Sequence, residues 1–514
     1  MVNRSETGHK SSLESFVLFF TVFVVGLCTI IYELLIGSVS SYFLGDSIKQ
    51  FSITIGLSMT AMGIGTLFSR YFRSNLIQWF ILIEILLGLV GGLSVPVLFA
   101  AYSYTNVYYP VMVMLIMVIG TLIGLEIPLL TRIMETNYAL RTNISNVLSL
   151  DYFGALAASL LFPFLLLPFF GIFKSSLITG AINLVAGIIN LWFFRSYLRP
   201  RNLRGLKYST YAISVLLVCM LVFSGRIIHS WESSVYEDRV ILSKQSAYQK
   251  IVLTKNRDDL RLYLDGHLQF STIDEYRYHE ALVHIPLSAM ENRENILLLG
   301  GGDGLAVREI LKYPDVKSVT VVDLDPEVTD LAKKHPMILS ANRDSLSDKR
   351  VKIENVDAFK FLEEDGSYYN VILADLPDPK NASLSRLYSR EFFGLAAKRL
   401  SRDGIFVTQS TSPFFAKKAF WCIDRTIRST DFNHVVPYHV YVPSFGDWGF
   451  VMASNIRRDL SDLTVNVSTR YLDQENIRAM FTFPKDIQTD QIKLSSLNEP
   501  NVLKYYLEGW KYWN

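Results

Sequence analysis

The sequence predicts a membrane domain built of several α-helices, followed by a doubly wound α/β domain with a parallel sheet. Three observations lead to this fold class. Half of the 514 residues are hydrophobic, and long apolar runs are concentrated before Gly225. After Arg226 the composition becomes mixed and charged. From Asn295 onward, short apolar runs alternate with helix-like stretches, which is typical of a sheet wound with helices.

The apolar part contains about seven runs that are long enough to cross a membrane. Runs such as residues 16–37 and 76–102 can each span about 30 Å of hydrocarbon as a helix. One run of this length could be a buried core helix, but seven in succession are poorly explained in that way. We therefore expect a membrane domain at residues 1–229, with spans beginning near Phe16, Phe51, Leu76, Val107, Phe153, Ser176 and Tyr208.

The charged part divides into three predicted regions. Residues 230–294 are expected to form a small β-rich subdomain, because Asp265 and Gly266 make a tight turn between two extended stretches. Residues 295–460 carry the alternation of the α/β domain, and the aromatic tail, residues 461–514, is expected to pack on it. After a first strand that begins at Asn295, the predicted strands lie at residues 318–325, 351–357, 369–378 and 404–410.

Carboxylates follow four of these strands. The first strand runs into the turn "GGGDG", which contains Gly300, Gly302, Gly304 and Asp303. Because parallel sheets bind ligands at the carboxyl ends of their strands, we expect the acids to meet at one edge of the sheet. The other acids are Asp323 and Asp325 after the second strand, Asp357 after the third, and Asp375 and Asp378 after the fourth.

Asp303 argues against a dinucleotide as the ligand. Amides at a helix N-terminus attract anions, and a carboxylate placed among them repels a diphosphate. The pattern G-x-G-x-x-G also fails, since Leu305 stands at its third glycine. Asp323 lies about twenty residues beyond the turn, where an acid reaches the hydroxyls of a ribose. A cationic nucleoside without phosphates, such as S-adenosylmethionine, suits this edge, although Asp303, Asp325 and Asp357 could each simply cap a helix.

Five ordered motifs carry a family resemblance. They are "YLDGHLQFSTIDEYRYHEALVHIPL", "ILLLGGGDGLAVREIL", "VVDLDPEV", "VDAFKFL" and "DLPDP", and weaker similarity extends from "SAYQKIVL" to "VPSFGDWGFVMAS". With its multi-span N-terminal region, the chain resembles the membrane-attached members of the spermidine synthase family, the polyamine aminopropyltransferases. The resemblance implies a Rossmann-like catalytic domain of the class I methyltransferase type.

The resemblance also implies a reaction. The aminopropyl group of decarboxylated S-adenosylmethionine would pass to an amine, with putrescine as the expected acceptor, giving spermidine and 5'-methylthioadenosine. The donor is a co-substrate, so neither a cofactor nor a metal is expected. A primary amine with a pKa of about 10.4 is protonated near neutrality, so one carboxylate must accept its proton while another holds the distal ammonium.

The family's site residues map onto this sequence by position. Asp375 matches the catalytic acid, and Asp378 matches the acid that anchors the diamine. Asp303 matches the acid that binds the donor's amine, and Asp323 matches the ribose acid, where the family commonly has Glu. The remaining matches are Asp357 and Ala358 beside the adenine, Gln249 near the nucleoside, Tyr278 and His279 at the substrate, and Gly300, Gly302 and Gly304 in the nucleoside cradle.

Besides Asp323, three positions depart from the family pattern. His279 stands where the family usually has Gln, and an imidazole can titrate near neutrality. Ala358 replaces a usual Gly, and Phe445 stands in the acceptor region where soluble members tend to have Tyr. The identity of the acceptor amine is therefore the least determined part of the resemblance.

Two other functions remain open. A methyltransferase would use the same nucleoside fold, but it needs no acid aimed at a propyl ammonium. A polyamine transporter or sensor, fused to a degenerate synthase domain, would account for acids in or beside the apolar runs, which are costly in hydrocarbon. Those acids could also cap or bridge helices, and they are Glu33, Glu84, Glu126 and Asp151.

Charge and cysteine content restrict the partners and the compartment. A net charge of +2 with no dense basic stripe argues against nucleic acid, and three cysteines provide no metal spacing. The expected partners are a polyamine and membrane lipid, and a homo-oligomer is compatible with the resemblance because soluble members commonly form dimers or tetramers.

The predicted spans and the charged loops lead to opposite expectations about topology from the supply of the donor. Seven spans and the Arg-bearing loops would place the C-terminal part outside the cell. The donor is cytosolic, so we expect a multi-pass protein of the cell membrane whose catalytic domain faces the cytoplasm, with one apolar segment re-entrant or two segments merged.

Overall fold

A computed structural model of the chain describes residues 4–44, 47–105, 107–135, 140–236, 238–460, 463–489 and 491–511. The chain divides into two compact units, Met1–Val240 and Ile241–Asn514, which we call the helical unit and the α/β unit. The boundary predicted between residues 229 and 230 falls inside a helix, Ser224–Val235. The helical unit therefore extends beyond the last predicted span.

The helical unit consists of long helices joined by short connections. Among the described residues, six helical segments are long and apolar enough to cross a membrane, judged by length and composition. The helices are α1 (Arg4–Leu44), α2 (Ser47–Phe68), α3 (Leu76–Tyr104), α4 (Tyr108–Met134), α5 (Leu140–Leu161), α6 (Leu167–Phe193), α7 (Pro200–Val222) and α8 (Ser224–Val235).

The count of six differs from the predicted seven because two predicted runs form one continuous segment. The runs expected near Phe153 and Ser176 lie in Thr142–Phe193, which has 52 residues. As a helix it would rise about 78 Å, more than twice the thickness of a bilayer core. A π-helical turn at Phe162–Leu166 and the non-helical backbone of Gly171, with φ 69° and ψ 173°, bend this segment without a loop.

Small residues allow the helices to approach closely. A Cβ atom added to Gly124 of α4 would lie 2.1 Å from the carbonyl oxygen of Met62 in α2. A Cβ added to Gly180 of α6 would lie 2.5 Å from the Cα of Gly92 in α3. Backbone therefore meets backbone at both crossings, as is common between helices that pack in apolar surroundings.

A four-stranded sheet precedes the main sheet of the α/β unit. Its strands are adjacent in chain order, and the turn predicted at Asp265 and Gly266 lies between the third and the fourth, with positive φ at both residues. The strands are β1 (Arg239–Gln245), β2 (Lys250–Asn256), β3 (Asp259–Leu264) and β4 (His267–Ser271).

Alternating strands and helices follow, as the sequence predicted. The strands are β5 (Asn295–Gly300), β6 (Ser318–Val322), β7 (Val351–Glu354), β8 (Tyr369–Asp375), β9 (Leu400–Gln409), β10 (His434–Val442) and β11 (Gly446–Ser454). The helices are α9 (Glu275–Ser288), α10 (Leu305–Ile310), α11 (Pro326–Lys334), α12 (Pro336–Asn342), α13 (Ala358–Glu364), α14 (Ala382–Ser385), α15 (Arg390–Lys398), α16 (Lys417–Arg428), α17 (Gln474–Met480) and α18 (Asn501–Trp510).

The main sheet has seven strands in the order β10-β11-β9-β8-β5-β6-β7. Strands β5 to β9 are parallel, whereas β11 runs antiparallel to β9 and β10 antiparallel to β11. Side chains of β5 alternate between two cores, since Leu298 packs on one face and Leu297 on the other. The strand order reverses between β5 and β8, which places the expected ligand crevice at their carboxyl ends.

The C-terminal tail packs on both faces of this sheet. Ile477 and Met480 of α17 join the core that contains Leu298. Val502 and Tyr506 of α18 join the core that contains Leu297. The last helix thus belongs to the body of the α/β unit.

Candidate active site

The glycine turn after β5 brings two strand ends into contact. Gly300 has a φ of 83°, and an added Cβ would lie 1.9 Å from the carbonyl oxygen of Asp375 at the end of β8. An added Cβ at Gly302 would lie 2.4 Å from Oδ2 of Asp323, which accepts a hydrogen bond from the Gly302 amide at 3.0 Å. Gly304 begins α10 as its N-cap. Side chains at the first two positions would separate groups that now touch.

Asp303 directly precedes the N-cap of α10 and adds a carboxyl group to the crevice. Its Oδ1 accepts a hydrogen bond from the Leu305 amide at 2.8 Å, and its carbonyl oxygen accepts one from Asn342 at 2.9 Å. Burial raises the pKa of Asp303 to about 6, with Asp375 adding to the rise and His279 opposing it. The N-cap residue of α10 is Gly304, without a side-chain cap, so Asp303 precedes the cap and bonds the Leu305 amide through Oδ1.

Asp375 is held by a tyrosine. The hydroxyl of Tyr278, in α9, donates a hydrogen bond of 2.6 Å to Oδ1 of Asp375. Burial raises the pKa of Asp375, while the charge of His279 and this hydrogen bond act in the opposite direction. Two residues that the sequence assigned to the site thus form one unit.

Asp378 lies in the loop after β8 and has three hydrogen-bond donors. Gln409 donates to its Oδ1 at 3.3 Å, and Thr411 donates to its Oδ2 at 3.5 Å. The third donor is the hydroxyl of Tyr506 from α18. Burial raises the pKa of Asp378 to about 6, and these donors oppose the rise.

Asp323 organises the end of β6 at the crevice. Its Oδ1 accepts the amide of Asp325 at 3.0 Å, and burial raises its pKa to about 6. Gln249 contacts Asp325 rather than Asp323, since its Nε2 donates a hydrogen bond to Oδ2 of Asp325 at 3.1 Å. Ser246 donates to the same oxygen at 2.6 Å. In the structure Gln249 therefore holds the acid next to Asp323, and its direct contact with the nucleoside stays a prediction.

Asp357 is engaged with its own helix. Its Oδ1 accepts the amides of Phe359 at 3.0 Å and Lys360 at 3.2 Å, which makes it the N-cap of α13. Its Oδ2 forms an ion pair with Arg386. Ala358, the first residue of that helix, is buried. The interpretation of Asp357 as a helix cap is confirmed. The contact of Asp357 and Ala358 with the adenine stays a prediction.

His279 carries a positive charge into the acidic crevice. Its Nδ1 lies 2.8 Å from Oε2 of Glu275. Arg308 donates to both carboxylate oxygens of Glu275, at 2.9 Å to Oε1 and at 3.0 Å to Oε2. Burial opposes the charged imidazole. The hydrogen bond and the charge of Glu275, together with Asp303 and Asp375, nevertheless raise the pKa of His279 to about 9.

Sequence reasoning missed the residues that hold Asp378 and the loop after β8. Gln409 ends β9, so the rule that ligands meet strand ends could have found it. It donates to the carbonyl of Leu376 at 2.6 Å, and Tyr388 donates to that carbonyl at 3.2 Å. Tyr506 gave no signal, because nothing in the tail indicates which strand end it reaches. Among the described residues, no group of three His, Cys, Asp or Glu side chains could hold a metal ion.

The chain is similar in sequence to one protein family and to known members of it. A family model described as the spermine/spermidine synthase domain matches residues 275–462. A polyamine aminopropyltransferase from Oceanobacillus iheyensis is 42% identical over 98% of this chain and 99% of its own length. One from Leptospira interrogans is 40% identical over 96% of this chain and 98% of its own length. The crystal structure of spermidine synthase from Thermotoga maritima is 27% identical, with a TM-score of 0.44, over 48% of this chain and 86% of its own.

Proposed function

This chain belongs to the spermine/spermidine synthase family as a polyamine aminopropyltransferase, and we propose that it transfers the aminopropyl group of decarboxylated S-adenosylmethionine to putrescine. The products are spermidine and 5'-methylthioadenosine. The observation that carries the proposal is the group of three half-buried acids at the ends of β5 and β8, Asp303, Asp375 and Asp378. They suit a reaction in which both substrates are cations.

On the donor side, each acid meets a different part of the nucleoside. Asp323 receives the ribose hydroxyls, since its carboxylate already orients the end of β6 and the Gly302 amide. Asp303 attracts the propyl ammonium of the donor through Oδ2, because its Oδ1 already accepts the Leu305 amide. The donor's reactive carbon is thereby fixed between its sulfur and Asp375. Holding the two reactants in this geometry reduces the entropic part of the barrier.

On the acceptor side, the two acids of "DLPDP" have different roles. Asp378 holds the distal ammonium of putrescine, because Gln409, Thr411 and Tyr506 fix its carboxylate. Asp375 receives a proton from the attacking amine, and its raised pKa favours acceptance. The amine nitrogen then bonds to the donor's propyl carbon. The carbon–sulfur bond breaks with its electron pair on sulfur, which neutralises the sulfonium and leaves 5'-methylthioadenosine.

A direct assay tests the reaction and its main alternative. The purified full chain, incubated with decarboxylated donor and putrescine, is expected to release 5'-methylthioadenosine and spermidine in equal amounts. In a parallel incubation with S-adenosylmethionine, a methyltransferase would instead release adenosylhomocysteine. Finding only that product would overturn the proposed function.

We also propose that the helical unit spans the cell membrane and that the α/β unit faces the cytoplasm. The six apolar segments support the first part by their length and composition. The supply of the donor supports the second part, because decarboxylated S-adenosylmethionine is a cytosolic metabolite. The curated relatives match this chain over nearly its whole length, so the helical unit is a shared part of these enzymes.

A further inference from the structure

A network of buried charges connects helix α10 to the crevice through Glu275. Glu275 and His279 lie one turn apart in α9, and both side chains are buried. The guanidinium group of Arg308, in α10, donates to both carboxylate oxygens of Glu275. The same guanidinium group also donates to Glu309 and to the carbonyl oxygen of Ala341. Glu275 is therefore held in place by a group that belongs to the scaffold of α10.

Glu275 determines which nitrogen of His279 carries a proton. Nδ1 of His279 lies 2.8 Å from Oε2 of Glu275 and 2.9 Å from the carbonyl oxygen of the same residue. Burial alone would raise the pKa of Glu275, but the bonds to His279 and Arg308 outweigh burial and lower it, so the carboxylate is ionised. Both oxygens therefore only accept hydrogen bonds, and Nδ1 must be the donor. The orientation and the tautomer of the ring are fixed by the carboxylate behind it.

The imidazolium and two acids of the crevice act on one another. The charges of Asp303, in the turn after β5, and of Asp375, at the end of β8, favour the charged form of His279. In return, the charge of His279 opposes the rise that burial imposes on the pKa of Asp303 and of Asp375. Strands β9, β10 and β11 pack in the same core as α9 with the uncharged side chains of Val407, Tyr438 and Phe450.

The two acids need this positive charge because each disfavours the ionised form of the other. Asp375 raises the pKa of Asp303. A carboxyl group that has taken up a proton neither attracts an ammonium group nor accepts a proton from an amine. Glu275 itself also raises the pKa of Asp303, but this effect is smaller than the opposite effect of His279. Glu275 and His279 together therefore favour ionised acids in the crevice.

We propose that Glu275 is a positioning residue of the transfer reaction, which through His279 keeps Asp303 and Asp375 ionised for the cationic donor. This inference rests on the proposed function, because it assumes that the crevice receives the donor's ammonium group. Without the carboxylate of Glu275, His279 loses its hydrogen-bond acceptor and its nearest negative charge, so the ring gives up its proton at a lower pH. The two acids then take up protons at a higher pH than in the wild type.

Binding of the donor as a function of pH tests this inference. The full chain in detergent, without acceptor, is titrated calorimetrically with decarboxylated S-adenosylmethionine between about pH 5 and about 8.5. The affinity of the wild type is expected to rise with pH, with a midpoint near the pKa of Asp303, which is about 6. The midpoint of Glu275→Gln is expected about one pH unit higher, because the acids have lost the positive charge beside them. Glu275→Asp keeps the carboxylate and is expected to lie between the two.

Further variants distinguish positioning from a general disturbance of α9. His279→Gln should shift the midpoint upward as well, and the double variant Glu275→Gln/His279→Gln should show no further shift, since Glu275 acts through the ring. Glu280→Gln is the matched control, because Glu280 is a buried acid of α9 whose oxygens accept the amides of residues 470–472. It should keep the wild-type midpoint. An unchanged midpoint in Glu275→Gln, a further shift in the double variant, or an equal shift in Glu280→Gln would overturn the inference.

A failure of the proposed function would give a different result. A wild type that binds no decarboxylated donor at any pH would contradict the function. The charge of His279 is measured independently of any ligand, from the NMR titration of its imidazole signal, which His279→Gln identifies. This signal is expected to titrate near pH 9 in the wild type and at a lower pH in Glu275→Gln. The same titration in both proteins would overturn the inference, whatever the donor does.

Discussion

At the scale of single residues, Asp375 and Asp378 have different surroundings although three positions separate them. Asp375 is bound by one hydroxyl, that of Tyr278, and faces the turn that contains Asp303. Asp378 is bound by Gln409, Thr411 and Tyr506. A carboxylate with one donor keeps an oxygen for the incoming amine, whereas three donors hold the other carboxylate in a fixed position. The assigned roles of proton acceptor and anchor follow from this difference.

Replacing Asp375 with Asn is expected to lower kcat at least about a hundredfold, because the variant cannot accept the amine's proton. The KM for putrescine should change little, since Asp378 still holds the distal ammonium. Steady-state kinetics with decarboxylated donor measure both constants. Asp365→Asn, which changes an acid that bonds Tyr369 outside the crevice, is the control. Unchanged turnover in the Asp375 variant would remove its catalytic role.

His279 is expected to make the stability of the α/β unit depend on pH. Its pKa is about 9 in the folded chain, against about 6.5 for an unperturbed histidine. The charged imidazole therefore stabilises the fold fully below about pH 6.5, by at most about 3 kcal/mol, and this contribution disappears as the pH rises through about 9.

Thermal unfolding of the wild type and of His279→Gln, followed between pH 6 and about 10, measures this contribution. The difference between their melting temperatures should be largest at the acid end and should shrink toward the alkaline end. His434→Gln controls for the loss of an imidazole. A difference that grows with pH would contradict the charged state of His279.

Residues differ in how far the sequence could assign them. Asp303, Asp375 and Asp378 were found because acids after parallel strands must meet at one edge of the sheet. Tyr278 was assigned to the site but its bond to Asp375 was not predicted, and Tyr506 was not assigned at all, because Tyr278 lies in the helix before β5 and Tyr506 in the last helix. Hydrogen bonds between segments that are distant in sequence leave no periodicity to detect.

At the scale of elements, the last helix contributes to the acceptor side. Helix α18 lies outside the matched family domain, yet it carries Tyr506 to Asp378. We expect Tyr506→Phe to raise the KM for putrescine about tenfold, because a hydrogen bond to a charged group is lost while the ring remains. The KM for the donor and the value of kcat should change little.

A neighbouring tyrosine provides the matched control for this prediction. The hydroxyl of Tyr505, in the same helix, accepts the amide of Lys493 and does not bond Asp378. Tyr505→Phe should therefore leave the KM for putrescine unchanged. Equal effects of the two substitutions, or equal changes in the KM of donor and acceptor, would show that α18 acts only through packing.

The elements of the α/β unit were more predictable than those of the helical unit. Short apolar runs separated by helical stretches define the parallel strands, and the turn at Asp265 and Gly266 lies where its residue types indicate. The apolar runs of the helical unit contain no comparable turn residues that mark where one helix ends and the next begins. Hydropathy could not show that the runs near Phe153 and Ser176 join into one segment, because the bend at Gly171 lies within continuous apolar sequence.

At the scale of the whole molecule, the proposed membrane-spanning helical unit raises the question of which side of the membrane the α/β unit faces. A reporter that fluoresces only in the cytoplasm, fused after Asn514, should fluoresce, because the donor is supplied there. A second fusion to a phosphatase that is active only outside the cytoplasm should be inactive. The opposite pair of results would contradict the proposed orientation and would agree with the literal count of seven spans.

The central claim is transfer of an aminopropyl group to putrescine. An acceptor panel of putrescine, cadaverine, agmatine and spermidine, assayed with decarboxylated S-adenosylmethionine, tests it most directly. We predict the highest kcat/KM for putrescine, with spermidine and 5'-methylthioadenosine formed in equal amounts. A higher kcat/KM for another amine would contradict the acceptor assignment, and no release of 5'-methylthioadenosine with any amine would contradict the reaction itself.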